Sequence, residues 1–289
     1  MFNPLQYNLL DFGRGRRLER FGEIILDRPC PAAETLAIEQ PSLWREAHAR
    51  FDLNRTNNEA DRGHWSHAQA LPECWTIDHQ GMKLELKPTL FGHIGVFPEQ
   101  AANWDWIDER LAKAGRPLKI LNLFAYTGGS TLAALRAGAQ VTHVDSARNI
   151  VAWARRNAAA NGLADAPVRW IVDDAMKFVA REVKRGVQYD GIVLDPPSYG
   201  HGSHGEPWQL AHDLPRMLEM CAELTRASRQ FMLLTCHTRG FSPARLRTMI
   251  SAPCEKSSLN SRTPQVEAFE LTLESADGRS LPCGTAARC

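Results

Sequence analysis

No apolar run in this 289-residue chain approaches the roughly 18 residues that a membrane span requires, and its opening stretch, MFNPLQYNLLDFGRGRRLERFG, lacks the basic-then-apolar plan of a secretory leader. A soluble, cytoplasmic protein with no membrane partner is expected. Cysteine is present seven times, an odd number, and never as a C-x-x-C pair. That pattern excludes a disulfide framework and a zinc ribbon, so reduced thiols and no metal are expected. An excess of one charge is also missing: 34 Lys+Arg stand against 33 Asp+Glu, for a formal net charge of +1. No uniformly basic surface advertises nucleic acid, and any such contact must be local. Residues 1–92, with 11 basic and 13 acidic side chains, are no polycation either. No internal repeat or low-complexity tract is visible, and nothing in the sequence sets an oligomeric state. What is present is 44% hydrophobic and 23% charged residues, enough to bury a core in about two domains.

Residues 1–92 are polar and broken up, and they read as a small β-rich N-terminal domain. Tyr7–Leu10, a Gly13-Arg14-Gly15 turn and Arg17–Leu26 suggest one hairpin. Trp75–Ile77, a turn around Gln80-Gly81, and Lys83–Lys87 suggest a second. Between them, Thr35–Arg50 and Asn54–His67 are expected to form short helix and loop. Residues 93–289 read as a second domain. From about Pro117, short apolar runs alternate with helical stretches, which is how βα units feeding a parallel sheet are written. Five buried strands are expected at Lys119–Ala125, Gln140–Val144, Val168–Val172, Asp190–Leu194 and Gln230–Thr235. The intervening helices fall at Ser130–Ala137, Ala147–Asn161, Ala175–Arg185 and Leu210–Ala227, with Gly162 as a helix C-cap. A short helix follows Ser242-Pro243, and Val266–Glu274 with Arg279–Ala286 closes the chain as an antiparallel hairpin. The expected fold is α/β, a seven-stranded Rossmann-like sheet with its last strand pair antiparallel.

In such a sheet the ligand lies past the carboxyl ends of the strands, so the residues following each strand are the informative ones. After the first come Phe124, Ala125, Tyr126, Thr127 and Gly128, then Gly129, a loop in which two glycines let a ligand approach the backbone at a helix N-terminus. It lacks the G-x-G-x-x-G spacing of a dinucleotide site, which disfavours a nicotinamide dehydrogenase. Asp145, followed by Ser146, ends the second strand, where a carboxylate can accept both hydroxyls of a ribose. Asp173 and Asp174 after the third strand offer an acceptor for an adenine amino group. After the fourth comes Asp195-Pro196-Pro197-Ser198-Tyr199.

This ordered set resembles the class I S-adenosylmethionine-dependent methyltransferases over roughly residues 93–289. It is more closely similar to the large-subunit ribosomal RNA methyltransferases that make 5-methylcytosine or 7-methylguanine, with their F-x-Y-T-G-G-type loop, D-P-P-S or D-P-P-K segment and upstream F-x-x-Q-x-x-N/R stretch. The resemblance implies S-adenosylmethionine as cofactor, held by the strand-end residues together with Phe97, Gln100 and Asn103, and RNA as partner. The basic RNA-binding module that many such enzymes carry in front has no counterpart here.

Two chemistries fit the reacting end. In N-methylation the Asp195 side chain and the Pro196 carbonyl accept hydrogen bonds from an amine while Tyr199 stacks on the base. In cytosine C5 methylation, the first expectation, a thiolate adds to C6, and Cys236 in Leu234-Thr235-Cys236-His237 stands where the resemblance puts that nucleophile. His237 replaces the usual Ser and can serve as a base, as a phosphate ligand or as a structural residue. The remaining enzyme alternatives are protein side chains and small amines as acceptors. A non-catalytic cofactor- or RNA-binding protein is the alternative of another class. The arginines Arg14, Arg16, Arg17 and Arg20, and Arg239, Arg245 and Arg247, are candidate phosphate contacts. The glycine-rich 200–206 loop is a candidate lid.

Overall fold

Three strands, β1 (Tyr7–Gly13), β2 (Arg16–Phe21) and β3 (Ile24–Pro29), form an antiparallel meander. Arg14 and Gly15 turn the first hairpin with φ of 52° and 75°, the pair of left-handed residues that a tight two-residue hairpin turn demands. The single strand expected over Arg17–Leu26 is broken at Gly22, whose φ of 63° reverses the chain. The computed structural model describes residues 1–54, 62–201, 207–256 and 265–289.

The helix and loop expected between the two hairpins are instead 3-10 turns and strands. The turns are Pro31–Ala33 and Leu43–Glu46. Strand β4 (Ala49–Leu53) runs parallel to β3, and β5 (Gly63–His67) antiparallel to β4, completing a sheet of order β1-β2-β3-β4-β5. Residues 55–61 of the expected loop lie outside the described residues. The strand signal in Ala49–Leu53 is thin because only Ala49 and Phe51 point inward; Phe51 is 1% exposed and packs on Trp65 with ring centroids 5.1 Å apart. The hairpin of β6 (Trp75–His79) and β7 (Met82–Leu86) forms as expected, turned by Gln80 and Gly81.

A helix that the sequence reading did not anticipate, α1 (Ala101–Ala112), follows the 3-10 turn Pro98–Gln100. Then come β8 (Lys119–Leu123), α2 (Gly129–Arg136), β9 (Gln140–Asp145), α3 (Arg148–Ala160), β10 (Val168–Val172), α4 (Ala175–Lys184) and β11 (Gly191–Leu194). A two-stranded ribbon, β12 (Tyr199–His201) with β13 (Pro207–Gln209), precedes α5 (Leu210–Leu224), β14 (Phe231–Cys236), α6 (Pro243–Lys256), β15 (Glu267–Glu274) and β16 (Ser280–Arg288). The large sheet has the order β10-β9-β8-β11-β14-β16-β15. Its first five members are parallel, and β16 is antiparallel to β14. This is the expected seven-stranded fold. Gly162 ends α3 in the left-handed conformation, with the Leu163 amide donating back to the Ala158 carbonyl at 2.9 Å.

Two compact units result: residues 1–102 with 272–283, and residues 103–271 with 284–289. In the second, Ile192, Leu194, Met232 and Leu234 face α5 and α6 through Leu214, Met217, Leu218 and Ile250, all fully buried. Each such side chain contributes about 1.5–3 kcal/mol. Strand order reverses between β8 and β11, where Leu123 pairs with Leu194, and open α/β sheets take their ligands past the strand ends at such a reversal. Among the described residues no helix is long and apolar enough to cross a membrane.

In the first unit, the fully buried Asp11 ties together segments far apart in sequence. Its Oδ2 accepts from the Trp44 indole (2.8 Å) and the Gln40 amide (2.9 Å), and its Oδ1 from the Phe12 amide (2.8 Å) and Arg279 (2.5 Å). Burial opposes its charge, but these four donors prevail and hold its pKa below the usual carboxylate value. Asp11→Ala should therefore cost about 3 kcal/mol in urea unfolding at pH 7. Because the folded-state pKa is depressed, this stabilisation is complete above the unfolded carboxylate value of about 3.9 and is lost as pH falls through the lower folded value. A mutant with wild-type stability at pH 7 would remove Asp11 from this role.

Candidate active site

Past β8 the backbone is strained. Phe124 and Tyr126 have φ of 54° and 50°, and Gly128 has φ of 92°. Left-handed non-glycine residues cost of order 1–3 kcal/mol each and persist only where the surroundings hold them. The holding groups are visible. Asp145 Oδ2 accepts the Tyr126 amide at 2.9 Å, the Ala125 amide donates to the Val144 carbonyl at 3.0 Å, and Asn157 Nδ2 donates to the Thr127 carbonyl at 2.9 Å. A Cβ on Gly129 would stand 2.5 Å from Trp104 Cζ2, so the second glycine serves the packing of α1 under the loop. Beneath it lies a buried polar chain that the sequence did not disclose. Asn122 Nδ2 donates to Thr131 Oγ1 (2.9 Å), and Thr131 Oγ1 bonds His143 Nδ1 (2.9 Å). Burial, aided by the charge of Arg155, pushes the His143 pKa down to about 3, so this imidazole is neutral.

The half-buried Asp145 also accepts the Ala147 amide through Oδ1 at 2.9 Å. Burial raises its pKa despite these two backbone donors. A buried carboxylate in that condition gains from further donors, and the two hydroxyls of a ribose are of the right kind. The residues thus fit an adenosine-type cofactor. Ser146 follows, half-buried. The Asp173 amide donates to the Asp145 carbonyl at 3.1 Å, which places the β10 end beside the β9 end. Asp173 is ion-paired with Arg181 and accepts the Asp174 amide, while Asp174 caps α4 by accepting the Lys177 amide at 2.8 Å. Both acids therefore already have structural duties. Of the upstream stretch, Phe97 and Gln100 belong to the first unit, with Gln100 buried. Asn103 is fully buried in the second, and its Oδ1 accepts from Arg288 at 2.5 Å.

Past β11 the geometry is well defined. Asp195 Oδ1 accepts from Thr235 Oγ1 at 2.5 Å and lies 3.2 Å from His237 Nε2. Burial opposes its charge, yet His237 and the Thr235 hydroxyl hold its pKa below the ordinary value, so it is ionised at neutral pH. Pro196 is buried, and the Pro197 carbonyl accepts the Trp208 indole N–H at 2.7 Å. The hydroxyls of Ser198 and Thr238 bond each other at 2.6 Å. Tyr199 is 77% exposed. Thr235 escaped the sequence reading because nothing marks one strand threonine from another; only pairing across β11 and β14 shows its partner. Cys236 is 1% exposed, within the cluster that packs on α5 and α6, and burial pushes its thiol pKa up. It is a protonated core thiol in this state. Residues 202–206 of the expected lid lie outside the described residues. Among the described residues, no group of three or more His, Cys, Asp or Glu is placed to hold a metal.

The profile of the S-adenosylmethionine-dependent methyltransferase family matches residues 35–246. An S-adenosylmethionine-dependent methyltransferase of Agrobacterium tumefaciens superposes with a TM-score of 0.88 at 36% identity, covering 98% of this chain and 90% of that one. Ribosomal RNA large subunit methyltransferase I of Aeromonas salmonicida is 33% identical over 135 residues, 46% of this chain and 33% of its own length. Ribosomal RNA large subunit methyltransferase K/L of Pseudoalteromonas atlantica is 30% identical over 158 residues, 54% of this chain and 21% of its own. The chain thus matches a third or less of these two curated relatives. It belongs to the S-adenosylmethionine-dependent methyltransferase family, and its cofactor is S-adenosylmethionine.

The state of the thiols is directly measurable. A maleimide at pH 7 should label the exposed Cys74 readily and leave Cys236 untouched until denaturant is added, as read by peptide mass mapping. Native-state labelling of Cys236 would contradict the burial described.

Proposed function

We propose that the protein transfers a methyl group from S-adenosylmethionine to a base in RNA, and that the acceptor is a nitrogen presented to Asp195. The observation that carries the reading is the ionised Asp195 past β11, at the reversal of strand order, fixed by Thr235 and His237, with the exposed Tyr199 four residues on. RNA is supported by the ribosomal RNA methyltransferases among the relatives.

S-adenosylmethionine, when bound, supplies an electrophilic methyl group. The loop Phe124–Gly128 and the first turn of α2 are assigned to its amino-acid end, Asp145 with Ser146 to its ribose, and Asp173 and Asp174 to its adenine edge. Asp195 Oδ1 is held by Thr235 and His237, which fixes the carboxylate plane. Its Oδ2 and the Pro196 carbonyl accept from the amine, so the nitrogen lone pair points outward, and Tyr199 stacks on the base. This positioning is most of what methyl transfer asks of the protein. Cytosine C5 chemistry, favoured from sequence, would need a thiolate facing the base, and the burial and raised pKa of Cys236 oppose it.

Asp145→Ala should weaken S-adenosylmethionine binding at least tenfold by calorimetry, since two charge-assisted hydrogen bonds of about 1.5–3 kcal/mol each are lost. Unchanged affinity in a folded mutant would remove the ribose from Asp145. Asp195→Ala should keep cofactor affinity and lose about two orders of magnitude in turnover on RNA. Cys236→Ser should retain the methylation rate, and RNA carrying 5-fluorocytosine should give no denaturant-stable adduct with active wild type. An adduct that vanishes in Cys236→Ser would restore the carbon chemistry.

A further inference from the structure

The β-rich unit holds a cavity of about 540 Å³, in the size range of small-molecule sites, to which nothing above gives a role. Its side chains come from β2, β3, β4, β5, the turn Leu43–Glu46 and the segments next to them. Arg16, Arg45 and Arg50 bring three guanidiniums against the single carboxylate of Asp27, and Trp44 and His67 add two rings.

The lining divides into a braced part and an available part. Arg16 Nε donates to Asp27 Oδ1 (2.5 Å) and Nη1 to Asp52 Oδ1 (3.2 Å), while Arg50 reaches the same two acids. Trp44 is anchored by its indole N–H on the buried Asp11 (2.8 Å), which fixes the ring plane. Arg45 and His67, by contrast, are exposed and have no polar partner among the described residues. A fixed indole beside an unpaired guanidinium and an imidazole, over a rigid ion network, is a combination suited to a ligand with one flat aromatic part and one anionic part.

We infer that this cavity takes one unstacked nucleotide of single-stranded RNA, its base against Trp44 and its phosphate on Arg45, with His67 at the rim. Single-stranded recognition works by stacking on aromatic side chains and by cationic contacts to the backbone. A chain of net charge +1 can grip RNA only through local sites of this kind. The inference rests on RNA being the substrate, as proposed above.

The test uses the full chain and a fluorescein-labelled, 12-nucleotide single-stranded RNA of mixed sequence carrying 4-thiouridine. Arg45→Glu should weaken binding in anisotropy about tenfold or more and lower the salt slope by about one. His67→Ala should weaken it less, both variants should bind S-adenosylmethionine as the wild type does, and photo-crosslinks should map to the peptides holding Trp44 or His67. Wild-type RNA affinity in Arg45→Glu, with crosslinks elsewhere, would overturn the cavity assignment and leave the RNA reading standing. Wild-type protein that binds no RNA yet methylates a protein or small amine would overturn the RNA reading and the ligand inferred here together. Displacement of the RNA by adenosine monophosphate at equal concentration would show a mononucleotide site in place of a strand site.

Discussion

A parallel strand can be joined to its neighbour only by a right-handed crossover, so a sheet that grows outward from its centre in both directions must reverse its order once. Here the reversal falls between β8 and β11. On one side the chain steps from β8 to β9 to β10, and on the other from β11 to β14. The connections leaving β8 and β11 go to opposite sides, and the loops 124–128 and 195–199 follow the two strands at this reversal, with Trp208 touching both: its ring packs on Phe124 and its indole N–H donates to the Pro197 carbonyl. Apart from Asn103 on α1, every residue proposed for cofactor or acceptor in the second unit follows the carboxyl end of one of these five strands or stands at its last positions. The site is thus a consequence of connectivity, and the side chains specialise a cleft that topology has already made.

Specialisation shows in how the cleft stores strain. Phe124 and Tyr126 sit in a conformation that neither would choose, and Asp145 holds the second of them through the Tyr126 amide. One carboxylate therefore fixes the loop in advance, and in the proposed function the same group takes the ribose. Binding to a loop already held in place avoids the ordering cost that a slack loop would impose. The neutral His143 below, linked through Thr131 to Asn122, adds rigidity without charge, which a cationic sulfonium ligand would otherwise meet as repulsion.

The fold was legible where burial is two-sided. KILNL, GIVL and FMLLTC have nearly every residue buried, so their apolar runs announce strands regardless of neighbours. Legibility failed where one face is wet. In GHWSH only Gly63 is buried, and an edge strand of that kind carries its identity in backbone pairing with β4, which no residue type reports. Helix α1 was missed for a related reason: AANWDWIDERLA hides its large buried apolar side chains, Trp104, Ile107 and Leu111, among acids. At the site, strand-end acids were readable because a carboxylate beside a core strand needs a reason. Their partners were not, because Thr235 and Asp195 meet only through the pairing of β11 with β14.

The same pairing bears on the choice between carbon and nitrogen chemistry. Side chains alternate along a strand, so Thr235 and Cys236 must leave β14 on opposite faces. Thr235 reaches Asp195, and His237, two positions on, returns to the same oxygen. Cys236 falls in step with Met232 and Leu234, which pack with the helices of the core. Burial, together with the charge of Asp195, keeps that thiol protonated, and slipping the strand by one residue to expose it would break both contacts to Asp195. Leu233 and Leu234 are themselves pinned by antiparallel pairing with Arg288 and Ala287 of β16. The register that builds the Asp195 network is therefore also the register that buries Cys236.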